Sequence, residues 1–95
     1  MKYEVLVEVR LRPGIADPQG ATIERALPAL GFAGVDAVRV GKAIRVSVEA
    51  PDEAAARARV IDMADRLLAN PVIEDSVVTV VGPAEAAAPV RNGAR

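Results

Sequence analysis

The sequence predicts an α+β fold with the element order β-α-β-β-α-β, an antiparallel sheet and both helices on one face of that sheet. Hydrophobic and polar residues alternate in segments at the start, the middle and the end of the chain, as in strands with one buried face. Between these segments, two stretches place hydrophobic residues at helical spacing, and each begins at a capping aspartate. This order of elements is the ferredoxin-like arrangement of an α+β sandwich.

The predicted strands are the segments in which hydrophobic and polar residues alternate. The first covers residues 2–11, and the last covers residues 77–81. Two short strands are expected within residues 35–49. A two-residue hairpin turn at Gly41-Lys42 would join them, because glycine permits the conformation that such a turn requires.

Both predicted helices begin with a recognisable signal. Asp17 and Asp52 can accept the free N–H groups of a first helical turn. Pro28 lies inside the hydrophobic pattern of the first helix, removes one hydrogen bond and should end the regular helix near Leu27. The hydrophobic stripe of the second helix is expected to contain Ala56, Val60, Met63, Ala64, Leu67 and Leu68.

A chain of 95 residues has room for one small domain, which we assign to residues 1–82. Residues 83–95 are rich in alanine, proline, glycine and arginine without periodicity, and are predicted to form a disordered tail. Two helices can cover only one face of the sheet, yet the last strand carries hydrophobic residues on both faces. We therefore expect a homo-oligomer that associates through the sheet.

The composition excludes several classes of function. The chain has no histidine and no cysteine, so disulfides, Cys/His zinc sites and nucleophiles activated by histidine are excluded. A net charge of −1 and 2% aromatic residues argue against binding of nucleic acid. The N-terminus lacks a signal-peptide pattern, and no apolar run is long enough for a membrane span, so we expect no membrane association and a cytoplasmic location.

Two short stretches contain candidate binding residues, and each also has a purely structural interpretation. The stretch Asp17-Pro18-Gln19-Gly20 is typical of a capped helix start, but its first-turn amides could also receive an anion or the carboxylate of a partner. The second stretch contains Arg39, Gly41 and Lys42. It is typical of a solvated turn, or of a contact for an acidic partner or a phosphate.

A third candidate stretch combines a helix stop at Asn70-Pro71 with the acidic pair Glu74-Asp75. Adjacent carboxylates point to opposite sides of an extended chain, so this pair is poorly suited to general acid–base catalysis. The sequence also contains no metal-ligand spacing, no phosphate-binding loop and no nucleophile beside a base. On residue chemistry alone, we find no catalytic residue in this chain.

Taken together and in this order, the stretches resemble the PurS family, the small subunit of phosphoribosylformylglycinamidine (FGAM) synthase. The resemblance covers about residues 2–81. The residues that carry it are Asp17-Pro18-Gln19-Gly20, Ile23-Glu24, Ala26-Leu27, Leu30-Gly31-Phe32, Val38-Arg39-Val40-Gly41-Lys42 and Leu67-Leu68-Ala69-Asn70-Pro71-Val72-Ile73-Glu74-Asp75.

The resemblance implies a non-catalytic bridging subunit of a complex that converts formylglycinamide ribonucleotide, ATP and glutamine to FGAM. The implied partners are a second copy of this chain, a large ATP-dependent synthetase subunit (PurL) and a glutaminase subunit (PurQ). The small subunit would assist the transfer of ammonia between them. ATP and Mg²⁺ are implied for the synthetase subunit, and no cofactor is implied for this chain.

The resemblance also implies which residues contact partners. These are Asp17, Gln19, Gly20, Arg39, Gly41 and Lys42, followed by Asn70, Pro71, Glu74 and Asp75. Two other functions remain open. One is a stand-alone regulatory module of the same fold, with a small molecule at a dimer interface near Gly41-Lys42. The other is a small acylphosphatase-like hydrolase, although no glycine-rich anion loop with a catalytic arginine is evident.

Overall fold

A computed structural model of the protein describes residues 1–84 and contains three strands and two α-helices. In chain order, the elements are β1 (Lys2–Leu11), α1 (Pro18–Ala26), β2 (Lys42–Glu49), α2 (Glu53–Met63) and β3 (Glu74–Pro83). A 3₁₀ turn at Leu27–Leu30 follows α1 directly, and a π-helical turn at Ala64–Leu68 follows α2.

The three strands form one antiparallel sheet in the order β2-β1-β3. In the centre of this sheet, Val7 pairs with Ile44 on one side and with Val78 on the other. Val5 and Val7 are fully buried and Val9 is 2% exposed, because all three point to the same face. The predicted alternation of β1 is therefore confirmed, and its odd-numbered valines form the centre of the core.

Helix α2 covers this face of the sheet. Its N-terminus is capped as predicted, since the side chain of Asp52 accepts a hydrogen bond from the Ala55 N–H at 2.8 Å. Val60 and Ala64 are fully buried in the core. The prediction that Leu67 belongs to the same stripe is wrong, because its side chain is 83% exposed. The π-helical turn widens the helix at this point and rotates Leu67 away from the sheet.

Helix α1 begins and ends as the sequence predicts. Asp17 caps its N-terminus, and the α-helical hydrogen bonding ends at Ala26, just before Leu27 and Pro28. The chain continues as a 3₁₀ turn because proline lacks the N–H that another α-helical turn would need. Gly31 then ends this turn with a φ of +96°, in the left-handed region that glycine adopts without strain.

The predicted hairpin around Gly41-Lys42 is wrong. Strand β2 begins at Lys42, and residues 36–41 form no strand, so the sheet of the described chain has three strands where four were expected. The N–H groups of Val38 and Val40 donate to the carboxylates of α1 and its cap rather than to a neighbouring strand. With an antiparallel sheet and two helices, the protein nevertheless has the predicted α+β class, and its arrangement is consistent with the ferredoxin-like one.

Residues 15–41, which contain α1 and lie outside the hydrophobic core, are called the arm below. In residues 1–84, the hydrophobic core draws its members from the sheet, α2 and residues close to α2, and it contains no residue of α1. Several large hydrophobic side chains of the arm are exposed, among them Ile23 at 44%, Leu30 at 71% and Phe32 at 56%. The arm therefore adds little to the core of its own chain.

The predicted tail, residues 83–95, lies outside the described residues except for Pro83 and Ala84, and Pro83 is the last residue of β3. Within residues 1–84, no helix has both the length and the apolar character needed to cross a bilayer.

Candidate functional site

Asp17 connects the start of α1 to the segment that precedes β2. Its Oδ1 accepts the N–H of Gly20 at 2.8 Å, and its Oδ2 accepts the N–H of Val40 at 2.7 Å. The Nε of Arg39 lies 4.0 Å from the same Oδ2, and the Asp17 side chain is only 5% exposed. One carboxylate therefore caps a helix and also holds a segment that is distant in sequence.

The hydrogen bonds from the N–H groups of Val40 and Gly20 lower the pKa of Asp17 below its ordinary value, and the positive charge of Arg39 adds to this effect. Removal of the carboxylate from water opposes the shift but is outweighed. Asp17 is consequently ionised at neutral pH, and its carboxylate accepts hydrogen bonds from two backbone N–H groups of its own chain.

A second carboxylate of α1 binds the same segment two residues earlier. Oε1 of Glu24 accepts the N–H of Val38 at 3.1 Å. Gly20 makes this close packing possible, because a Cβ on Gly20 would overlap the carbonyl oxygen of Val38. The N–H groups of Val38 and Val40 thus point to the same side, and the carboxylates of Asp17 and Glu24 take the place of a neighbouring strand.

Gly41 and Lys42 lie where this segment joins the sheet. A Cβ on Gly41 would lie 2.6 Å from the carbonyl oxygen of Val9, so only glycine fits here without moving β1. Lys42 pairs with Val9 in the register of β1 and β2. Its side chain is exposed and forms no ion pair within residues 1–84.

The stretch from Asn70 to Asp75 forms a turn that satisfies its own backbone. The N–H of Asn70 donates to Oε1 of Glu74 at 2.7 Å, and the N–H of Glu74 donates to the carbonyl oxygen of Asn70 at 2.8 Å. The N–H of Val72 donates to Oδ1 of Asn70 at 3.1 Å. These contacts give Asn70 and Glu74 a structural role in shaping the turn.

Arg12, which is not among the predicted site residues, joins the two groups of candidate residues. Its Nη2 donates to the carbonyl oxygen of Pro71 at 2.5 Å, and its Nε lies 3.3 Å from Oδ1 of Asp75. Its own carbonyl oxygen accepts a hydrogen bond from Nη2 of Arg39 at 3.4 Å. In the sequence, Arg12-Pro13 looks like the end of any strand, and no local signal indicates that Arg12 links two distant segments.

Both groups meet at the end of β1, around an open hollow of about 330 Å³. Its polar lining comes from Asp17, Gln19, Lys42 and Glu74, and its apolar lining includes Val9. Gly20 is buried and does not line this hollow, whereas Pro71 and Asp75 line a second hollow that shares Glu74 with it. Within residues 1–84, no three histidine, cysteine or acidic side chains are grouped closely enough to hold a metal ion. The side chains here are suited to hydrogen bonding and ion pairing with another molecule.

The fold is that of a small α+β domain with an open hollow at the end of β1, and comparison with known proteins gives its family. Residues 4–82 match the family model PurS, described as phosphoribosylformylglycinamidine (FGAM) synthase. The chain belongs to the PurS family, which confirms the resemblance found in the sequence.

Similar proteins cover most of this chain. The phosphoribosylformylglycinamidine synthase subunit PurS of Synechocystis is 47% identical over 77% of this chain and 73% of its own length. A crystal structure of PurS from Methanocaldococcus jannaschii, described as one of the subunits of formylglycinamide ribonucleotide amidotransferase in the purine biosynthetic pathway, is 38% identical. It covers 82% of this chain and 94% of its own, with a TM-score of 0.73. A chain of the PurLQS structure from Thermotoga maritima is 33% identical, with a TM-score of 0.78, over 85% of this chain and 99% of its own.

Proposed function

We propose that this chain is the non-catalytic bridging subunit of an FGAM synthase complex in purine biosynthesis. It would link the ATP-dependent synthetase subunit, PurL, to the glutaminase subunit, PurQ, in the conversion of formylglycinamide ribonucleotide to FGAM. Membership of the PurS family and the likeness to a chain of PurLQS support this role. The observation that carries it in the structure is the arm of residues 15–41, whose hydrophobic side chains stand largely outside the chain's own core.

Self-association is part of this proposal. Helix α2 covers one face of the sheet, while Val77 and Val81 of β3 are 40% and 52% exposed. The exposed residues of the arm, such as Leu30 and Phe32, add further apolar surface. A second copy of the chain could cover both surfaces, since a small domain gains much of its stability from burying such area.

We place the contacts with partner subunits at the candidate residues that lie around the end of β1. Gln19, Arg39 and Lys42 are exposed, so their side chains are available to another subunit. Asp17, Gly20, Gly41, Asn70 and Glu74 would act by holding the surface in shape, because their groups serve hydrogen bonds or close packing within the chain. Pro71 and Asp75 belong to this surface through their contacts with Arg12.

The proposed contribution to the reaction is positional. Ammonia released by a glutaminase must reach the synthetase site before it is protonated or lost to water. A subunit that orders the interface between the two sites can therefore raise glutamine-dependent turnover without touching a reacting bond. ATP and Mg²⁺ would act on the synthetase subunit, this chain would need no cofactor, and the complex would work in the cytoplasm.

Reconstitution tests this proposal. The chain is mixed with the cognate synthetase and glutaminase subunits, and glutamine-dependent and ammonia-dependent formation of FGAM are compared. We expect glutamine-dependent activity only when the chain is present, while ammonia-dependent activity does not need it. Equal rates with and without the chain, together with no complex on gel filtration, would refute the bridging role. Tight binding of an amino acid or nucleotide by the isolated chain would favour the alternative of a regulatory module.

A further inference from the structure

The arm is held together by contacts of its own. The carboxylate of Asp17 accepts the N–H of Val40 at 2.7 Å. The carboxylate of Glu24 accepts the N–H of Val38 at 3.1 Å, and the backbone of Gly20 packs against the carbonyl oxygen of Val38. These contacts fix α1 to the segment that precedes β2, so the two parts of the arm move together.

Few contacts, by contrast, join the arm to the sheet. In the described part of the chain, the hydrogen bonds that residues 15–40 form with other residues are both accepted by the carbonyl oxygen of Arg12. One comes from the N–H of Ile15 at 3.2 Å, and the other comes from Nη2 of Arg39 at 3.4 Å. The Arg39 side chain is 46% exposed, and Gly20 is the only buried residue of the arm. A segment with so little buried surface changes its position at a small cost in free energy.

The hollow of about 330 Å³ lies between the arm and the sheet. Its lining includes Pro18 and Gln19 from the arm, and Leu11 and Glu74 from the strands. Within residues 1–84, no hydrogen bond or ion pair joins the arm residues of this lining to its strand residues. A change in the angle between the arm and the sheet would therefore alter the width of the hollow without breaking a polar contact across it.

Each of the two connections between the arm and the strands contains a glycine. Gly14 follows β1, has a φ of +86° and has open space where a Cβ would lie. Gly41 is the single residue between Val40, which is bound within the arm, and Lys42, which is paired with β1. The backbone of Gly41 lies against the carbonyl oxygen of Val9, so this connection stays close to the sheet. Because glycine adopts a wider range of φ and ψ than other residues, the two connections can absorb a rotation of the arm.

We propose that the arm rotates as one rigid body about Gly14 and Gly41, which widens and narrows the hollow, and that assembly of the synthase complex fixes its angle. The second part rests on the proposed function. Gln19 belongs to the arm and Glu74 to β3, and both are candidate partner contacts, so the rotation changes the distance between them. Partner subunits that bind one arrangement more tightly than the others shift the population towards it.

Distances between pairs of spin labels test the rotation. The chain has no cysteine, so two introduced cysteines carry both labels. The exposed pair Ala29→Cys/Ala58→Cys measures the arm against α2, and the exposed pair Ser47→Cys/Ala58→Cys measures two positions outside the arm. Labelled chains are diluted with unlabelled ones, so that copies within an oligomer do not contribute. In the isolated chain, we expect the first distance distribution to be about twice as broad as the second. In the reconstituted complex, it should narrow to the width of the second.

A substitution of Arg39 tests what limits the rotation. Arg39→Gln removes the side-chain hydrogen bond between the arm and the end of β1, and should broaden the first distribution about 1.5-fold. The matched control is Arg25→Gln, because Nη2 of Arg25 donates to Thr22 within the arm, also at 3.4 Å, and its removal should leave the width unchanged. Amide exchange at Val38 and Val40 should be equal in both variants, since these N–H groups are bound within the arm.

Equal widths for the two labelled pairs in the isolated chain, or an unchanged width in Arg39→Gln, would overturn the rotation. So would faster exchange at Val38 and Val40 in Arg39→Gln, because the arm would then unfold instead of moving as one body. A complex in which the first distribution stays as broad as in the isolated chain would overturn the role of assembly. Failure of the chain to assemble at all would refute the bridging role, whereas the distances in the isolated chain would still test the rotation, so the two failures are distinguishable.

Discussion

Asp17 accepts a hydrogen bond from the backbone of Val40, which lies 23 residues further along the chain, at 2.7 Å. The same carboxylate caps α1 through the N–H of Gly20. The start of the helix and the approach to β2 are therefore fixed by one side chain. Any partner surface built from Gln19 and Lys42 depends on this contact, since it sets the distance between their two segments.

Replacing Asp17 by alanine should loosen the arm while leaving the sheet folded. The substitution removes the helix cap and the acceptor of the Val40 N–H together, so both backbone groups lose their partner. We expect the melting temperature to fall by about 5 °C, and amide exchange at Gly20 and Val40 to accelerate. Exchange at Val7, in the centre of the sheet, should change little, and equal acceleration there would contradict a local role.

Acidification should act on the same contact. The pKa of Asp17 is lower in the folded chain than its ordinary value of 3.8, so its ionised form stabilises the fold above that pH. This contribution is lost as the pH falls below about 3.8 and through the folded-state pKa. Asp17→Asn, which has no charge to lose, should show a shallower decrease of stability in this range. Urea titrations at pH 7 and pH 3 measure the free energy of unfolding of both proteins. An equal decrease of this free energy between the two pH values in both proteins would refute the prediction.

Gly41→Ala should destabilise the protein by about 2 kcal/mol. The added Cβ would meet the carbonyl oxygen of Val9 at 2.6 Å, and a backbone atom of the central strand cannot move aside cheaply. Gly14→Ala is a suitable comparison, because Gly14 has a φ of +86° with nothing within 4 Å of an added Cβ. It should cost only about 1 kcal/mol, from backbone strain alone. Chemical denaturation of both variants tests this order of effects.

Val7→Ala and Leu67→Ala separate the buried core from the rotated end of α2. Val7 is fully buried, so its truncation should lower the free energy of unfolding by about 2 kcal/mol. Leu67 is 83% exposed, so its truncation should change this free energy by less than about 0.5 kcal/mol. A large loss of stability for Leu67→Ala in the isolated chain would mean that the side chain is buried after all.

Arg12→Gln should release the turn of residues 70–75 from the end of β1. The substitution removes the bond to the Pro71 carbonyl and the ion pair with Asp75, at a cost of about 1 kcal/mol. Amide exchange within the turn should accelerate more than exchange elsewhere. Arg66→Gln is the control, because its ion pair with Asp62 lies within one exposed helical segment and should contribute less than about 0.5 kcal/mol. Similar exchange in both variants would argue against a linking role for Arg12.

The features that follow from local pattern could be predicted from the sequence. The alternation of β1, the caps at Asp17 and Asp52, and the end of regular helix before Pro28 each depend on a few neighbouring residues. The family could also be identified, because its stretches occur in a fixed order. Local chemistry is sufficient for such features, since capping and periodicity act over a few residues.

The predictions from sequence failed where side chains that are distant in the sequence form hydrogen bonds with the backbone. The segment from Val38 to Val40 alternates like a strand, but its N–H groups are bound by carboxylates that lie 14 and 23 residues earlier in the chain. The role of Arg12 likewise depends on a turn that lies 59 residues away. No local pattern contains this information, because such contacts exist only after the chain has folded.

The position of β1 in the middle of the sheet has a consequence for the order of folding during synthesis. Within residues 1–84, the strand that is synthesised earliest, β1, pairs with the one that is synthesised latest, β3, since Tyr3 lies opposite Pro83. Until β3 is available, β1 lacks one of its two neighbouring strands, and closing so long a loop is slow. The arm is different, because Asp17 and Val40 can meet as soon as the first half of the chain has emerged. The nascent chain should therefore form its peripheral arm before its core.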